Sequence, residues 1–405
     1  MIHRKKVCSA SIMLISLIVF SAGKITAQES LKKEVVISKD LKWSERMALS
    51  IIKRDPKLWQ IDNNEKPKWD YKLGLVAMSF EQLYKKTNKE LYSNYVKEYG
   101  ETVINSSGEI MNYKLEDYNI DYINAGKILF DLYKETKDNR YLTAMQTLRK
   151  QLETHPRTNS GGFWHKKIYP NQLCLDGLYM GTPFYARYTA EFNKGKDFDD
   201  IAKQFEQIHL HTIDKKTGLL FHAWDESKQM PWANKKTGTS PNFWSRSIGW
   251  YMMALVDVLD YMPKEHPKRK ELIQYLKEIS TAVAKYQDAS GLWYQVTDSG
   301  TKEGNYLEAS GSEMFIYAFA KGAKKGYLPS NYKKLAEKGF DGLINKLVTV
   351  DPDGEIHITQ VCASAGLGGN PYRDGSYDYY IKEKIKIDNS HGLGPFILAA
   401  IELDK

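Results

Sequence analysis

Apolar residues recur at helical spacing in twelve segments of the chain, and clusters of polar, glycine and proline residues separate these segments. The segments lie near 43–54, 72–86, 88–104, 121–136, 139–153, 176–192, 197–213, 243–261, 267–287, 309–325, 330–347 and 392–402. Two further stretches, 291–296 and 355–360, have the composition of short strands in hairpins or loops. The pattern therefore predicts a protein made almost entirely of helices.

Two kinds of helix alternate along the chain. The segments near 88, 139, 197, 267 and 330 are charged and amphipathic. Those near 121, 176, 243, 309 and 392 are more uniformly apolar, and the stretch 314–320 has no charged residue. Because a helix that is apolar on all sides is buried, the second kind should form an inner ring within an outer one. We therefore expect an all-α fold, an (α/α)6 toroid of six helical hairpins.

The first 27 residues are typical of a secretory signal. Arg4, Lys5 and Lys6 precede an apolar run over 8–22, and Ala27 ends a plausible cleavage site. The run is too short and too interrupted for a membrane span. No linker divides the remaining chain, although it exceeds the usual size of one domain, and a repetitive architecture reconciles the two facts. We expect one domain over 28–405 that is exported to the periplasm or secreted.

Charge and cysteine content exclude some classes of function. The net charge is +8, and four of the positive charges lie in the signal with no acid to offset them, which leaves the mature chain near +4. That value is too small to indicate nucleic-acid binding, but it suits a small anionic substrate. The two mature cysteines, Cys174 and Cys362, allow a disulfide but do not require one. No Cys/His cluster has metal-ligand spacing.

Polar and aromatic residues gather where the inner helices begin. In such a toroid the inner helices run in the same direction, so their N-termini meet at one rim. Helix N-termini favour anions, and aromatic faces suit the apolar faces of sugar rings. The residues expected at this rim are Trp69, Asp70, Tyr71, Tyr118, Asn119, Asp121, Asn124, His165, Asp176, Phe243, Trp244, Arg246, Trp250, Glu308, Ser310, Asn389 and His391.

Several candidates also have an ordinary structural interpretation. The two aspartates would serve as helix caps, and the two tryptophans would be core residues. The arginine would be an ion-pair partner, and the histidine would be a core residue that makes a hydrogen bond. These candidates are Asp121, Asp176, His222, Trp244, Arg246 and Trp250. The functional interpretation depends on their convergence at one rim and not on any single residue.

Eight segments in family order resemble glycoside hydrolase family 105, the unsaturated rhamnogalacturonyl hydrolases, and more distantly the unsaturated glucuronyl hydrolases of family 88. Each segment is short, but together they span nearly the whole mature chain. They are 69–71, 118–121, 165–166 with 169–172, 175–180, 222–227, 243–251, 365–369 with 372–376, and 392–396. The resemblance implies an α/α toroid, in agreement with the helix pattern.

The resemblance also implies residue roles. Asp176 matches the general acid/base, and Asp121 matches the second acidic residue of the pocket. Positions that line the site of the unsaturated uronate are matched by His165, Met180, His222, Trp244, Arg246 and Trp250, and more loosely by Tyr71. One departure is Cys174, which stands where a large aromatic residue, usually Trp, is expected.

The implied reaction is hydration of a 4,5-unsaturated uronate, the terminal sugar that a polysaccharide lyase leaves. Protonation of the enol ether at C4 gives an oxocarbenium ion at C5, water adds there, and the hemiketal opens to release the aglycone. Asp176 would donate this proton and later accept one from water. Asp121 and the substrate carboxylate would favour the protonated form of Asp176. No metal or organic cofactor is required, and the carboxylate spacings of ordinary glycosidases do not apply.

The sequence leaves alternatives for the substrate and for the class of function. The resemblance favours an unsaturated galacturonyl-rhamnose unit from rhamnogalacturonan, with a glucuronyl-rhamnose unit from ulvan second. A polysaccharide lyase on the same fold is the rival enzyme, because the sequence has the bases and cations that a lyase needs. A glycan-binding protein is the rival without catalysis, although pure binding has no need of the pair Asp176 and Asp121.

Overall fold

Helices account for almost all regular structure in the computed structural model, which describes residues 36–405. The predicted signal, 1–27, lies outside the described residues. The α-helices are α1 (Trp43–Arg54), α2 (Tyr71–Thr87), α3 (Glu90–Val103), α4 (Asp121–Asn124), α5 (Leu129–Thr136), α6 (Asn139–Thr154), α7 (Leu175–Phe192), α8 (Phe198–Thr212), α9 (Ser245–Val258), α10 (Arg269–Ala284), α11 (Ala309–Lys324), α12 (Asn331–Lys346), α13 (Tyr377–Lys382) and α14 (Ser390–Leu403). Turns of 3₁₀-helix occur at Leu58–Asn63, Leu115–Asp117, Ala125–Ile128 and Thr297–Ser299. All twelve predicted helices are present.

Six helical units form a closed inner ring. Going round the ring, α2 packs on α4 and the 3₁₀ turn after it, α4 on α7, α7 on α9, α9 on α11, α11 on α14, and α14 again on α2. One outer helix packs against each inner unit: α1, α3, α6, α8, α10 and α12. The predicted (α/α)6 toroid is therefore confirmed, including the assignment of inner and outer helices.

Glycines let the inner helices approach closely. A Cβ atom on Gly74 would lie 2.4 Å from the Cα of Ala125, and one on Gly311 would lie 2.5 Å from Ser245 Oγ. Any side chain at these positions would push neighbouring helices apart. The second inner helix, predicted as continuous over 121–136, is interrupted by the 3₁₀ turn Ala125–Ile128, the segment that Gly74 contacts.

Short antiparallel sheets of two strands each lie in the loops. They pair β1 (Gln172–Cys174) with β2 (Ala223–Asp225), β3 (Val348–Val350) with β4 (Ile356–Ile358), and β5 (Val361–Cys362) with β6 (Ile385–Lys386). The strand predicted at 355–360 is β4, whereas 291–296 makes only isolated bridges. Of the helices within 36–405, none has the length and apolar character that a membrane crossing requires.

Candidate active site

A cavity of about 350 Å³ opens at the rim where the inner helices begin. This volume suits a small ligand such as a disaccharide. Six of the nine predicted site residues line it: Tyr71, Asp121, His165, Asp176, Met180 and His222. The other lining residues are Lys72, Lys166, Tyr169, Gln172, Cys174, Ala363, Ser364, Ala365, Gly366, Leu367, Arg373 and His391.

Asp176 lies in the first turn of α7, directly after strand β1. The N-cap is Cys174, and no side chain makes a capping hydrogen bond there, so Asp176 does not serve as the cap. Its side chain is 16% exposed, and its Oδ2 atom has no hydrogen-bond partner among the described residues. The carboxylate therefore borders the cavity, with its buried Oδ2 atom on the side of His222.

His222 is held next to Asp176 by the pairing of β1 with β2. The backbone N–H of Leu175 donates to the carbonyl of His222, and the imidazole Nε2 lies 3.3 Å from Asp176 Oδ2. On its other side, His222 Nδ1 is 2.7 Å from the hydroxyl of Tyr380 in α13. The ring of Trp244 packs behind His222, with centroids 4.9 Å apart. His222 is therefore fixed from behind while its Nε2 edge meets Asp176.

Asp121 is held in an ion-pair cluster. Its two carboxylate oxygens lie 3.0 Å from His165 Nε2 and 2.6 Å from Lys166 Nζ. Burial alone would raise the pKa of Asp121, but the charges of Lys166 and His165 outweigh it and hold the pKa well below its usual range. Asp121 is therefore an anion at neutral pH.

A hydrogen-bond chain orients Tyr71 at the start of α2. Asn389 Nδ2 donates to the carboxylate of Asp62, so its Oδ1 atom accepts from His391 Nδ1 at 2.7 Å. His391 Nε2 then accepts from the Tyr71 hydroxyl at 2.8 Å. Burial lowers the pKa of His391 and raises that of Tyr71, which keeps both groups neutral. The Tyr71 oxygen therefore faces the cavity as an acceptor.

Arg246 lies beneath the cavity and is only 1% exposed. One nitrogen donates to Ser310 Oγ and to the carbonyl of Cys362, while its Nε has no partner among the described residues. Ser310 in turn donates to Glu308, the N-cap of α11. Burial lowers the pKa of Arg246, but acidic neighbours, Cys362 and Glu308 foremost, raise it overall, so the charge persists.

Three of the nine predicted site residues are absent from the cavity wall: Trp244, Arg246 and Trp250. Each is fully buried, because each lies on α9 or at its start and points to the packed interior behind the wall. Trp250 packs at a tilt against Tyr179, the neighbour of the lining residue Met180, with ring centroids 4.8 Å apart. The two tryptophans therefore support the wall from behind. Arg246 does so too, and in addition its Nε–H has no acceptor among the described residues.

The two mature cysteines are both free. Cys362 is buried in strand β5, and Cys174 lies in the cavity wall. Burial raises the pKa of Cys174, so the thiol stays protonated and is a poor nucleophile. Cys174 therefore contributes shape and not reactivity.

Sequence reasoning missed three cations and a loop at this cavity. Lys166 adjoins His165 in a matched segment, and Lys72 follows Tyr71, so their positions could have been proposed. Arg373 also lies in a matched segment, and it is brought in by the loop after β5, whose backbone carbonyls at Leu367 and Gly368 accept from its guanidinium. Nothing in the local pattern predicts that this loop folds over the rim.

The charges at the cavity differ in how far they are neutralised. Lys166 pairs with Asp121, and Lys72 lies 2.9 Å from Asp62. Arg373, by contrast, has no carboxylate within 4.0 Å in the part of the chain that the structure describes. An unpaired guanidinium at the wall and another beneath it suit an anionic ligand. A free carboxylate beside a histidine suits proton transfer.

Comparison with known proteins identifies the family to which the chain is similar. The sequence model described as Glycosyl Hydrolase Family 88 matches residues 43–405. A solved glycoside hydrolase of family 105 from C. acetobutylicum ATCC 824 is 48% identical, with 90% of this chain and 99% of that chain covered and a TM-score of 0.87.

Two curated proteins are more distant relatives. Unsaturated rhamnogalacturonyl hydrolase YesR of Bacillus subtilis (strain 168) is 26% identical over 76% of this chain and 84% of its own length. An unsaturated 3S-rhamnoglycuronyl hydrolase of Formosa agariphila is 25% identical over 57% of each protein.

Proposed function

The chain belongs to Glycosyl Hydrolase Family 88, and on that basis we propose that it hydrates the C4=C5 bond of 4,5-unsaturated uronyl oligosaccharides and so releases the aglycone. The observation that carries this proposal is the carboxylate of Asp176, which lines the cavity, is 16% exposed and has His222 beside its buried Oδ2 atom. Hydration of an enol ether needs one positioned proton donor, and this group supplies it.

In the proposed reaction, the proton of Asp176 is transferred to C4. The electron pair of the double bond forms the new C–H bond, and the positive charge that develops at C5 is shared with the ring oxygen. Water then adds at C5 and returns a proton to Asp176. The hemiketal opens to a ketone, and the resulting hemiacetal at C1 releases the aglycone alcohol. His222, held by Tyr380, orients the carboxylate throughout.

Substrate charge is the second element of the proposal. A uronate carries one carboxylate, and two cations near the cavity have donors to give. Arg246 beneath the floor has an unbonded Nε that is itself buried, and Arg373 at the wall has no carboxylate partner within the described residues. We propose that Arg246 contacts the uronate carboxylate or a ring hydroxyl. Lys72 and Lys166 are already paired with Asp62 and Asp121.

For the sugar itself, we propose an unsaturated galacturonyl-rhamnose disaccharide from rhamnogalacturonan. The name of the Bacillus subtilis relative supports this substrate. The name of the Formosa agariphila relative supports a rhamnoglycuronyl substrate, which keeps a glucuronyl-rhamnose unit from ulvan as the second candidate. Cys174 and Leu367 give the wall an apolar patch that would receive the methyl group of a 6-deoxy sugar in either case.

Parallel kinetics on the two disaccharides test the proposal. Loss of the unsaturated-uronate absorbance on the galacturonyl substrate, with higher kcat/KM than on the glucuronyl one, is the expected result. The opposite preference would assign the ulvan-type substrate. No turnover of either, with an intact fold, would contradict both. A lyase would instead increase the absorbance on polymeric substrate, and a binding protein would leave it unchanged.

Two further parts of the proposal concern the whole chain. Export to the periplasm or beyond is supported by the signal pattern of residues 1–27, and N-terminal sequencing of protein from culture fractions tests it. A single catalytic domain over 28–405 is supported by the inner ring, which closes only when α14 meets α2. Limited proteolysis should therefore yield no stable fragment that lacks α14.

A further inference from the structure

A second cavity, of about 270 Å³, lies at the opposite end of the ring from the first. Side chains from the C-terminal parts of the inner helices line it, and Pro183, Leu398 and Ile401 form apolar parts of its wall. No residue of this cavity takes part in the proposed reaction. Its chemistry is set by an unusual number of charged groups.

Nearly all of these charges are paired. Asp131 accepts a two-pronged hydrogen bond from Arg187 at 2.8 and 2.9 Å. Lys321 lies 2.6 Å from both Asp257 and Asp260. The remaining ion pairs around the cavity are Lys85 with Asp131, Lys324 with Glu402, and Lys325 with Asp260. The carboxylates that line the cavity are therefore already neutralised.

Lys127 is the exception. It lies in the 3₁₀ turn that interrupts the second inner helix, and it is 5% exposed. Its Nζ has no hydrogen-bond partner among the described residues and lies 3.7 Å from the ring centroid of Tyr179. Burial lowers the pKa of Lys127 to about 7; Asp257 offsets part of that effect and Lys321 adds to it. A cation–π contact stabilises a buried cation less than water or a carboxylate would.

We propose that this cavity binds a small oxyanion, with the Nζ of Lys127 as its principal ligand. The cavity supplies the space, and Lys127, part of its wall, has an Nζ without a hydrogen-bond partner that would turn from the ring of Tyr179 toward the anion. Lys324 and Lys325, whose side chains are largely exposed at the mouth, would attract an anion. Phosphate, sulfate and the carboxylate of a free uronate share this chemistry.

Anion binding should be linked to uptake of a proton by Lys127. Affinity should then fall as the pH rises through about 7. Burial raises the pKa values of Tyr179, Tyr261 and Tyr317. At Lys321 and Asp260 burial acts against ion pairing, but the pairing prevails, raising the pKa of Lys321 and lowering that of Asp260. Burial also raises the pKa of Glu81, a neighbour of Asp131 and Arg187, to about 8. A pH dependence centred near 7 would identify Lys127 if it is seen with sulfate, which has no protonation step near neutral pH, and persists in Glu81→Gln.

Calorimetric titration of the full chain with phosphate, sulfate and galacturonate tests the proposal. We expect one-to-one binding of at least one anion to the wild type, weaker by about tenfold or more in Lys127→Met. Lys333→Met removes one exposed lysine on α12 and serves as the matched control, which should bind as the wild type does. The three ligands distinguish inorganic anions from a sugar acid.

Two results would overturn the proposal. One is that the wild type binds none of the three anions at concentrations up to about 10 mM. The other is that Lys127→Met binds as the wild type does, which would place the anion in the first cavity. If Lys127→Met does not fold, a crystal structure of the wild-type complex decides. An anion beside Lys127 Nζ supports the site, and an anion elsewhere excludes it.

Discussion

Replacing Asp176 by asparagine tests the proposed acid/base directly. Asparagine keeps the size of the side chain and can still accept hydrogen bonds, but it has no proton to give to C4. The substitution site is favourable for such a test, because Oδ2 of Asp176 has no hydrogen-bond partner that the change would break. The neighbouring Nε2 of His222, at 3.3 Å, would meet an amide in place of a carboxylate.

The structure separates the expected effects on rate and on stability. Asp176 lies in the first turn of α7 without capping it, so it stabilises the helix through the dipole by about 0.3–1 kcal/mol, in addition to its contact with His222. Loss of a positioned acid/base typically costs about 10²–10⁴ in rate, which corresponds to about 2.7–5.4 kcal/mol of barrier. The kinetic effect should therefore exceed the effect on stability severalfold.

The assay is the decay of unsaturated-uronate absorbance across pH, with thermal melting as the check on folding. Asp70→Asn is the matched control. Asp70 is also an aspartate at the first turn of an inner helix with a side chain 16% exposed, but it caps α2 and does not line the cavity. Asparagine caps a helix as well as aspartate does, so Asp70→Asn should retain activity. A folded Asp176→Asn protein with the rate of the control would refute the assignment.

Three other substitutions should give distinct results. Asp121→Asn should lower the rate and move its pH profile toward lower pH, because the change removes a negative charge that disfavours ionisation of nearby acids; an unmoved profile would contradict the proposed coupling. Arg246→Ala should weaken kcat/KM by about 2–5 kcal/mol, and activity within about twofold of wild type in a protein with normal melting would refute the contact. Glu81 is 1% exposed with both carboxylate oxygens unbonded, and burial raises its pKa from 4.5 to about 8. The associated stability is full below pH 4.5 and is lost as the pH rises toward 8. Glu81→Gln should therefore raise the melting temperature at pH 8 but hardly at pH 4.5, and equal changes at both would contradict the assignment.

The helices were predictable because each inner helix is apolar on all sides, whereas each outer helix has an apolar stripe on one side only. That difference alone orders the helices into two rings and places their N-termini at one rim. The interruption of the second inner helix at Ala125–Ile128 was not predictable, because its helical pattern is unbroken. It coincides with the close approach of Gly74, which is a contact between segments far apart in sequence.

The site was predictable where residues lie at or near the start of an inner helix. Asp121, Asp176 and Tyr71 all follow from that rule, and the structure brings them to one cavity. Arg373 was missed because its position depends on the fold of a loop that no periodic pattern describes. Trp244 and Trp250 are behind the wall because α9 turns them inward, and a one-dimensional pattern cannot fix that rotation.

The central claim is that the wild-type enzyme consumes the double bond in the same event that releases the aglycone. The decisive measurement records unsaturated-uronate absorbance and free aglycone together on the galacturonyl-rhamnose disaccharide. Hydration predicts that each molecule of rhamnose released accompanies the loss of one double bond, at every time point. Release of rhamnose while the absorbance persists would show direct cleavage at the anomeric carbon, and it would contradict the account.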